Sequence, residues 1–433
     1  MQGRIRVCHV LNALGDGGVQ NLLLNMVERS ESNVEHSISY LNELETSLEP
    51  AFRARGVRTT DASPGGQFDP RAIPALARHA RENDVDVLHA HLPWQQVVAR
   101  LASLATDAVV VSTHHNLGDN THPAVATAER ATRPLDAATV AVSEAVRDRH
   151  AGRWLPGEDG WRVVHNGIDV PGFREEVRSR RVDGEVRDSA SAAPRDTDET
   201  VADGGADERD SGGDADERTS DADERSLSGN EQNPTGDERN PADDAADEGG
   251  TTFLHVGRYI PGKSQIDLLH AMARVVEDHP DSHLYLVGWG DLEASLRDAA
   301  DRLGVGANVS VTGYQSDVEA YYAMADAFVS SSLSEGFPIT YIEAMAAELP
   351  VVSTAFGGAA DIVADSETGF VVPTRDREGL AEAMLALESP ETRREMGRAG
   401  YERAADLFDV GRTAAEYRRI YRESLGATAG TPD

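Results

Sequence analysis

A single lysine, Lys263, stands among forty arginines in this 433-residue chain. It closes the turn Gly257-Arg258-Tyr259-Ile260-Pro261-Gly262-Lys263, directly after an apolar run. An ammonium is a compact point charge where a guanidinium is a planar fork, so a lysine kept beside Arg258 in a Gly/Pro turn points to a grip on phosphate. The other reading is that a lysine-poor composition leaves one by chance. A second constellation, Glu335-Gly336-Phe337-Pro338-Ile339-Thr340-Tyr341-Ile342-Glu343, follows the apolar stretch Phe328–Ser331. Its Gly-Phe-Pro turn opens a helix, which leaves Glu335 in the loop and puts Glu343 on the helix. One carboxylate can then reach the centre of a cleft and the other a ligand further along the helix. Amides exposed at the helix start can donate to hydroxyl or phosphate oxygens. The alternative is an acidic cap followed by a surface glutamate.

Other candidates are single motifs. Gly17-Gly18, in Gly15-Asp16-Gly17-Gly18 before a helix at Asn21, offers a close-approach point for phosphate or acceptor. Thr113-His114-His115-Asn116 ends an apolar strand and presents a histidine either to a ligand or to solvent. His89 and His91 alternate around Ala90, so both point to one face, toward an acceptor or into packing. Val287-Gly288-Trp289-Gly290 has the start of a dinucleotide loop, but Glu293 occupies the place of the third glycine, which discounts NAD. Asp84-Val85-Asp86 leads into a strand and reads as a solvated strand entrance rather than a metal site.

Both halves of the chain must position these residues through βα repeats. Apolar strand-like runs at 5–11, 36–41, 85–89, 108–113, 138–142 and 162–165 alternate with helical patterns such as Asn21–Glu28, Pro74–Asn83 and Gln95–Ala105. A second set at 252–256, 283–287, 308–312, 327–330, 350–353 and 370–372 is likewise interleaved with helices. The fold class is therefore α/β, with two parallel sheets covered on both faces and ligands at the carboxyl ends of the strands. Between them, residues 174–250 lack aromatics and hold 25 Asp/Glu against 10 Arg, a composition that predicts a disordered acidic insert. A connector this long costs only about 2 kcal/mol more closure entropy than a short one. The expected boundaries are 1–173, 174–250, 251–405, and a last helix within 406–425.

The formal charge of −34 argues against nucleic acid as a partner. Of it, −19 lies outside the insert, so the acidity belongs to the whole protein and suggests a salt-rich cytoplasm. Cys8 is the sole cysteine, which excludes an internal disulfide or a Cys-based metal cluster. No stretch approaches the roughly 20 apolar residues of a membrane span or reads as a signal peptide, so a soluble or peripheral cytoplasmic protein is expected. Arg53, Arg55, Arg58, Arg71, Arg78 and Arg81 make a locally basic stretch, either facing an anionic membrane or lipid-linked acceptor or simply solvated.

Taken together, Gly17-Gly18, His165-Asn166-Gly167-Ile168-Asp169, Arg258/Lys263 and Glu335/Glu343 resemble, in order, the motifs of the family-4 retaining glycosyltransferases of GT-B fold. The resemblance covers everything except the acidic insert. It implies two Rossmann-like domains facing a cleft, with the last helix crossing back to the first domain. It implies that Arg258 and Lys263 hold the diphosphate of a UDP- or GDP-sugar, Glu343 the ribose hydroxyls and Glu335 a hydroxyl of the transferred sugar. Gly17, Gly18, Gly336, Phe337 and Pro338 would complete the nucleotide-sugar site. His115 would touch the donor sugar, with His114 as its substitute and Asn166 as a further candidate. The implied reaction moves a sugar with retention, by same-face attack, onto a glycan, polysaccharide or lipid-linked acceptor. No cofactor or metal is implied, because cations aimed at the departing diphosphate stabilise the charge that develops there. Rival readings are a nucleotide-sugar epimerase and a non-catalytic sugar-nucleotide-binding scaffold. Gly357-Gly358-Ala359-Ala360-Asp361 departs from the family's Gly-Gly-x-x-Glu, and a contact by that acid is in question.

Overall fold

The computed structural model describes residues 4–15, 17–42, 47–62, 65, 68–118, 121–151, 160–182 and 250–428. The first sheet contains β1 (Ile5–Leu11), β2 (Val34–Tyr40), β3 (Arg58–Asp61), β4 (Val87–Ala90), β5 (Val109–His114), β6 (Ala138–Ala141) and β7 (Trp161–Val163). Its order is β3-β2-β1-β4-β5-β6-β7 and every pairing is parallel. The second contains β8 (Thr252–Val256), β9 (His283–Val287), β10 (Val309–Val311), β11 (Ala327–Ser330), β12 (Val351–Thr354) and β13 (Gly369–Val372). Its order is β10-β9-β8-β11-β12-β13, again all parallel.

Central strands such as β4, β5, β11 and β12 are buried along their whole length, as expected for sheets covered by helices on both faces. In the first sheet Val7, Val87 and Val111 pack toward one layer of helices, while Cys8, Leu88 and Val110 pack toward the other. Strand β3 lies outside the sequence expectation. Its Arg58-Thr59-Thr60-Asp61 has no apolar run to find, because it pairs only with β2 at the sheet edge.

The insert expected to begin at 174 starts later. A helix spans Val170–Val182, and the remainder of the expected insert, 183–249, lies outside the described residues. The charge of the helix does not unfold it, because its arginines have partners on the second domain. Arg174 pairs with Glu348 and lies 3.8 Å from the Tyr401 ring centroid, Arg178 reaches Glu348 at 3.0 Å, and Arg181 donates to Ala323 O at 2.9 Å. Val177 is buried in a core shared with Tyr322 and Phe328.

The final helix, Val410–Thr428, packs on the first sheet. Val410, Tyr417, Ile420 and Tyr421 are buried with Ile5, Val7 and Leu22, and Arg418 pairs with Glu31. The chain reaches it through a bridge between Ile168 and Asp409, where Val410 N donates to Ile168 O at 2.8 Å. A Cβ on Gly167 would stand 2.7 Å from Phe408 O, so the Asn-Gly-Ile-Asp turn is where two passages of the backbone cross. Among the described residues no helix is long and apolar enough to span a membrane.

Candidate functional site

The carboxyl ends of β1, β5, β8 and β11 carry the residues singled out from sequence. Beyond β8, the segment 257–259 lies against the Gly288-Trp289-Gly290 turn, with Gly257 N bonded to Val287 O and Tyr259 N to Trp289 O. Gly288 has φ +148° and a Cβ there would fall 1.9 Å from Gly257 O, so only glycine permits this approach. Tyr259 is buried and donates its hydroxyl to Leu286 O at 2.6 Å. Arg258 is exposed, and its guanidinium forms no ion pair among the described residues. A short 3₁₀ turn, Pro261–Lys263, leads into the helix Gln265–Asp278 through Ser264, which adopts φ +50°.

Lys263 and Glu335 meet. Their side chains form an ion pair between the loop after β8 and the loop after β11, each about one-fifth exposed. The two loops are tied together independently: Ser331 Oγ contacts Lys263 O at 3.1 Å and Ser264 O at 2.9 Å, and Leu333 N donates to Gly262 O at 2.8 Å. Ser332 Oγ donates to Glu335 Oε1 at 2.8 Å and orients the carboxylate. Sequence reasoning passed over both serines, although Ser330-Ser331-Ser332 at a strand end was visible. Glu343 lies in the helix Ile339–Ala346 and accepts from the buried Tyr322 hydroxyl at 2.8 Å. Burial, followed by the charge of Glu343, pushes the Tyr322 phenol well above its ordinary range, so it remains a donor.

The first domain closes on these loops. A Cβ on Gly336 would stand 2.0 Å from His115 O, and Ser143 Oγ donates to Gly336 O at 2.9 Å. Gly18, at the start of the helix Gly18–Arg29, has Ile339 Cδ1 3.5 Å from its Cβ position. Asp361, the short acid of the Gly-Gly-x-x-Asp turn, accepts from Glu144 N at 3.0 Å and so bridges the domains.

Phe337 uses its side chain for packing. Its ring is buried, stacks on His165 at 4.9 Å and meets Phe408 edge-on at 5.5 Å. The side chain belongs to the domain junction, which leaves only its backbone for a ligand. Asn166 is buried beside that junction, with Oδ1 unpartnered among the described residues. Pro338 caps the helix that carries Glu343.

Strand alternation separates His114 from His115. His114 is buried on the opposite face against His150 (4.6 Å) and Trp161 (5.0 Å), 3.8 Å from Glu129. His115 bonds through Nε2 to His91 Nδ1 at 3.1 Å, and burial lowers its pKa to about 4. His89 and His91 take the packed alternative: His89 bonds to Tyr421 and Thr113, both at 2.7 Å. Nitrogens of His9, His89 and His91 lie within 4.8 Å of one another, yet each ring nitrogen already has a hydrogen-bond partner. Asp86 accepts from Arg6 N at 2.7 Å and Asp84 pairs with Arg6 at 3.3 Å, which makes the Asp-x-Asp a strand-entrance clip. In the basic stretch, Arg53 and Arg71 pair with Glu49 and Asp69, Arg55 with Glu28, and Arg58 bonds to Asn83.

Two parallel-sheet domains with ligand-type residues at their apposed carboxyl edges define a GT-B glycosyltransferase fold. Among solved structures, the chain is similar to Anabaena Alr3699/HepE in complex with UDP (TM-score 0.70, 16% identity, 99% of this chain and 100% of that one). It is also similar to sucrose-phosphate synthase from Thermosynechococcus elongatus (TM-score 0.70, 18% identity, 98% and 100%). Residues 16–170 match Glycosyltransferase Family 4 and residues 236–403 match Glycosyl transferases group 1. The chain belongs to the family-4 glycosyltransferases. Curated relatives include the phosphatidyl-myo-inositol mannosyltransferase of Mycobacterium leprae, 34% identical over 186 residues, 42% of this chain and 48% of that protein. Another is the N-acetyl-alpha-D-glucosaminyl L-malate synthase of Bacillus anthracis, 27% identical over 179 residues, 41% and 47%. In these matches the chain spans about half the length of the curated relatives.

Proposed function

We propose that this protein transfers a hexose-type sugar, with retention, from a UDP- or GDP-sugar to a glycan or lipid-linked acceptor. The observation that carries the reading is the Lys263–Glu335 ion pair at the apposed strand ends, with Arg258, exposed and without an ion-pair partner among the described residues, on the same turn. As the glycosidic bond breaks, the departing diphosphate gains negative charge. Arg258 and Lys263 meet that charge more strongly in the transition state than in the ground state, which is the condition for acceleration. Glu335 then turns its carboxylate to a sugar hydroxyl while Ser332 keeps hold of it. Glu343, steadied by Tyr322, takes the ribose hydroxyls. The amides of Gly336 and Phe337 and the Gly17-Gly18 turn line the remaining approach. In this reading the departing phosphate takes the acceptor proton and the two cations supply the positive charge.

The UDP held by the HepE structure supports a nucleotide donor, and the named activity of the mycobacterial relative supports a lipid-linked acceptor. We place the enzyme in the cytoplasm, where sugar nucleotides are available. The test is a panel of sugar nucleotides titrated at high salt, followed by acceptor screening with those that bind. Acceptor-dependent glycoside formation is expected. An isomerised sugar released without acceptor would instead mean an epimerase, and binding with no turnover under any acceptor a scaffold.

A further inference from the structure

Four imidazoles cross the first sheet in one hydrogen-bonded file. His36 of β2, His9 of β1, His91 just beyond β4 and His115 just beyond β5 sit on four consecutive strands. Val7 pairs with His36, and His9 with His89, so each ring lies two residues nearer the carboxyl edge than the one before. His36 Nδ1 meets His9 Nε2 at 3.0 Å, His9 Nδ1 meets His91 Nε2 at 3.1 Å, and His91 Nδ1 meets His115 Nε2 at 3.1 Å. Every link joins Nδ1 of one ring to Nε2 of the next. At the outer end His36 Nε2 is 2.7 Å from Ser30 Oγ, beside a cavity of about 90 Å³. At the inner end His115 Nδ1 is buried without a partner among the described residues.

A neutral imidazole has one N–H and one bare nitrogen, so fixing the proton at either end of such a file fixes all of them. The outer end is fixed by a helix terminus. Ser30 N turns to Val27 O, which leaves Met26 O among the carbonyls that the helix Gly18–Arg29 does not satisfy. Ser30 Oγ supplies the missing donor at 2.8 Å. Its one hydrogen is thereby used, so it accepts from His36 Nε2–H. His36 Nδ1 is then bare and accepts from His9 Nε2–H, and the same sense runs on to His115, whose Nε2 carries the proton and whose Nδ1 is bare. The reverse sense would strand a buried N–H at His115 and leave Met26 O without its donor. Buried orphan donors are rarer than under-used acceptors, so both ends select the same direction. Burial keeps the rings neutral, with His36 and His115 lowered to about 4 and His9 and His91 well below their ordinary range.

We propose that Ser30 polarises this file through the positioning residues His36, His9 and His91, and that His115 Nδ1 is in consequence an obligate hydrogen-bond acceptor for a hydroxyl of the bound sugar. The sugar hydroxyl rests on the nucleotide-sugar reading of the cleft, whereas the polarity of the file does not. The first measurement therefore needs no ligand: long-range ¹H–¹⁵N correlation on the full chain with labelled histidine, at neutral pH. Nε2–H tautomers are expected at His36, His9, His91 and His115, and an Nδ1–H at His115 would overturn the proposal. In Ser30→Ala, a fraction of His115 should convert to Nδ1–H, while Ser30→Thr, which keeps the hydroxyl, should retain the wild-type pattern. An unchanged spectrum in Ser30→Ala would show that Ser30 does not set the direction. The second measurement compares UDP-glucose with UDP, and GDP-mannose with GDP, on the same variants. Affinity for the sugar nucleotide should fall in Ser30→Ala in proportion to the tautomer lost, with affinity for the bare diphosphate unchanged. An equal fall for both would mean that Ser30 acts only on packing. If neither sugar nucleotide binds the wild type, the cleft reading fails and the spectra still decide the polarity.

Discussion

Lys263 and Glu335 neutralise one another across two loops that leave β8 and β11, the two central strands of the second sheet. In the proposed site a diphosphate entering there competes with Glu335 for the ammonium and frees a carboxylate already held by Ser332. Lys263→Ala removes a charge-assisted contact worth roughly 1.5–3 kcal/mol, so donor affinity and turnover should both fall by about one to two decades. Calorimetric titration of the donor and initial rates check this, and unaltered values would contradict it.

Gly336→Ala tests the closeness of the two domains. The added methyl would lie 2.0 Å from His115 O, a backbone atom that cannot move aside alone. Overpacking of this kind typically costs about 1–3 kcal/mol. The variant should show a lowered denaturation midpoint and at least a tenfold loss of turnover, because the Glu335 loop must withdraw. Wild-type rate and midpoint would mean that the approach is not needed.

Much of this site was legible because apolar runs and motif spacing act locally. The runs at 5–11, 252–256, 283–287 and 327–330 are strands β1, β8, β9 and β11 almost residue for residue. Glu335 and Glu343 fall on loop and helix as the Gly-Phe-Pro turn requires. What stayed hidden depends on partners distant in sequence. Arg174 and Arg178 read as part of an unfoldable acidic stretch because Glu348, which pairs with both, lies on the other domain. The packing of Phe337 against Phe408 was hidden as well, because nothing near Phe337 in sequence announces that partner. The histidine file needs the strand order β2-β1-β4-β5, which no local pattern encodes.

The buried histidines give stability a defined pH dependence. Burial lowers the pKa of His36 and His255 to about 4, against 6.5 for an unperturbed ring. Between those values the unfolded chain binds protons that the folded chain refuses, so stability is full above about pH 6.5 and is lost as pH falls toward 4. Each of these two rings accounts for on the order of 3 kcal/mol over that window. Denaturant midpoints at constant high salt should drop steadily from pH 7 to pH 4.5, whereas a flat profile would mean that the rings are already charged in the fold.

Residues 185–245 carry no aromatic group and few apolar ones, so they offer a packed cleft little. Replacing them with a short flexible connector should leave kcat within about twofold, since closure entropy changes by only about 2 kcal/mol and acts on stability rather than on the site. Loss of turnover in a variant that keeps its circular dichroism would assign the segment a part in catalysis.

The two glutamates separate binding from chemistry, and their kinetics test the nucleotide-sugar site most directly. In the proposed site Glu335 stands beside the sugar whose bond breaks, so Glu335→Gln removes charge where charge develops and should mainly lower kcat. In the same proposal Glu343 holds a ribose that does not react, so Glu343→Gln should chiefly raise the donor KM, and Tyr322→Phe should do the same more weakly. Steady-state rates at saturating acceptor, in salt that keeps each variant folded by circular dichroism, provide the comparison. A kcat defect for Glu335→Gln together with a KM defect for Glu343→Gln is the predicted result, and the reverse pattern would contradict it.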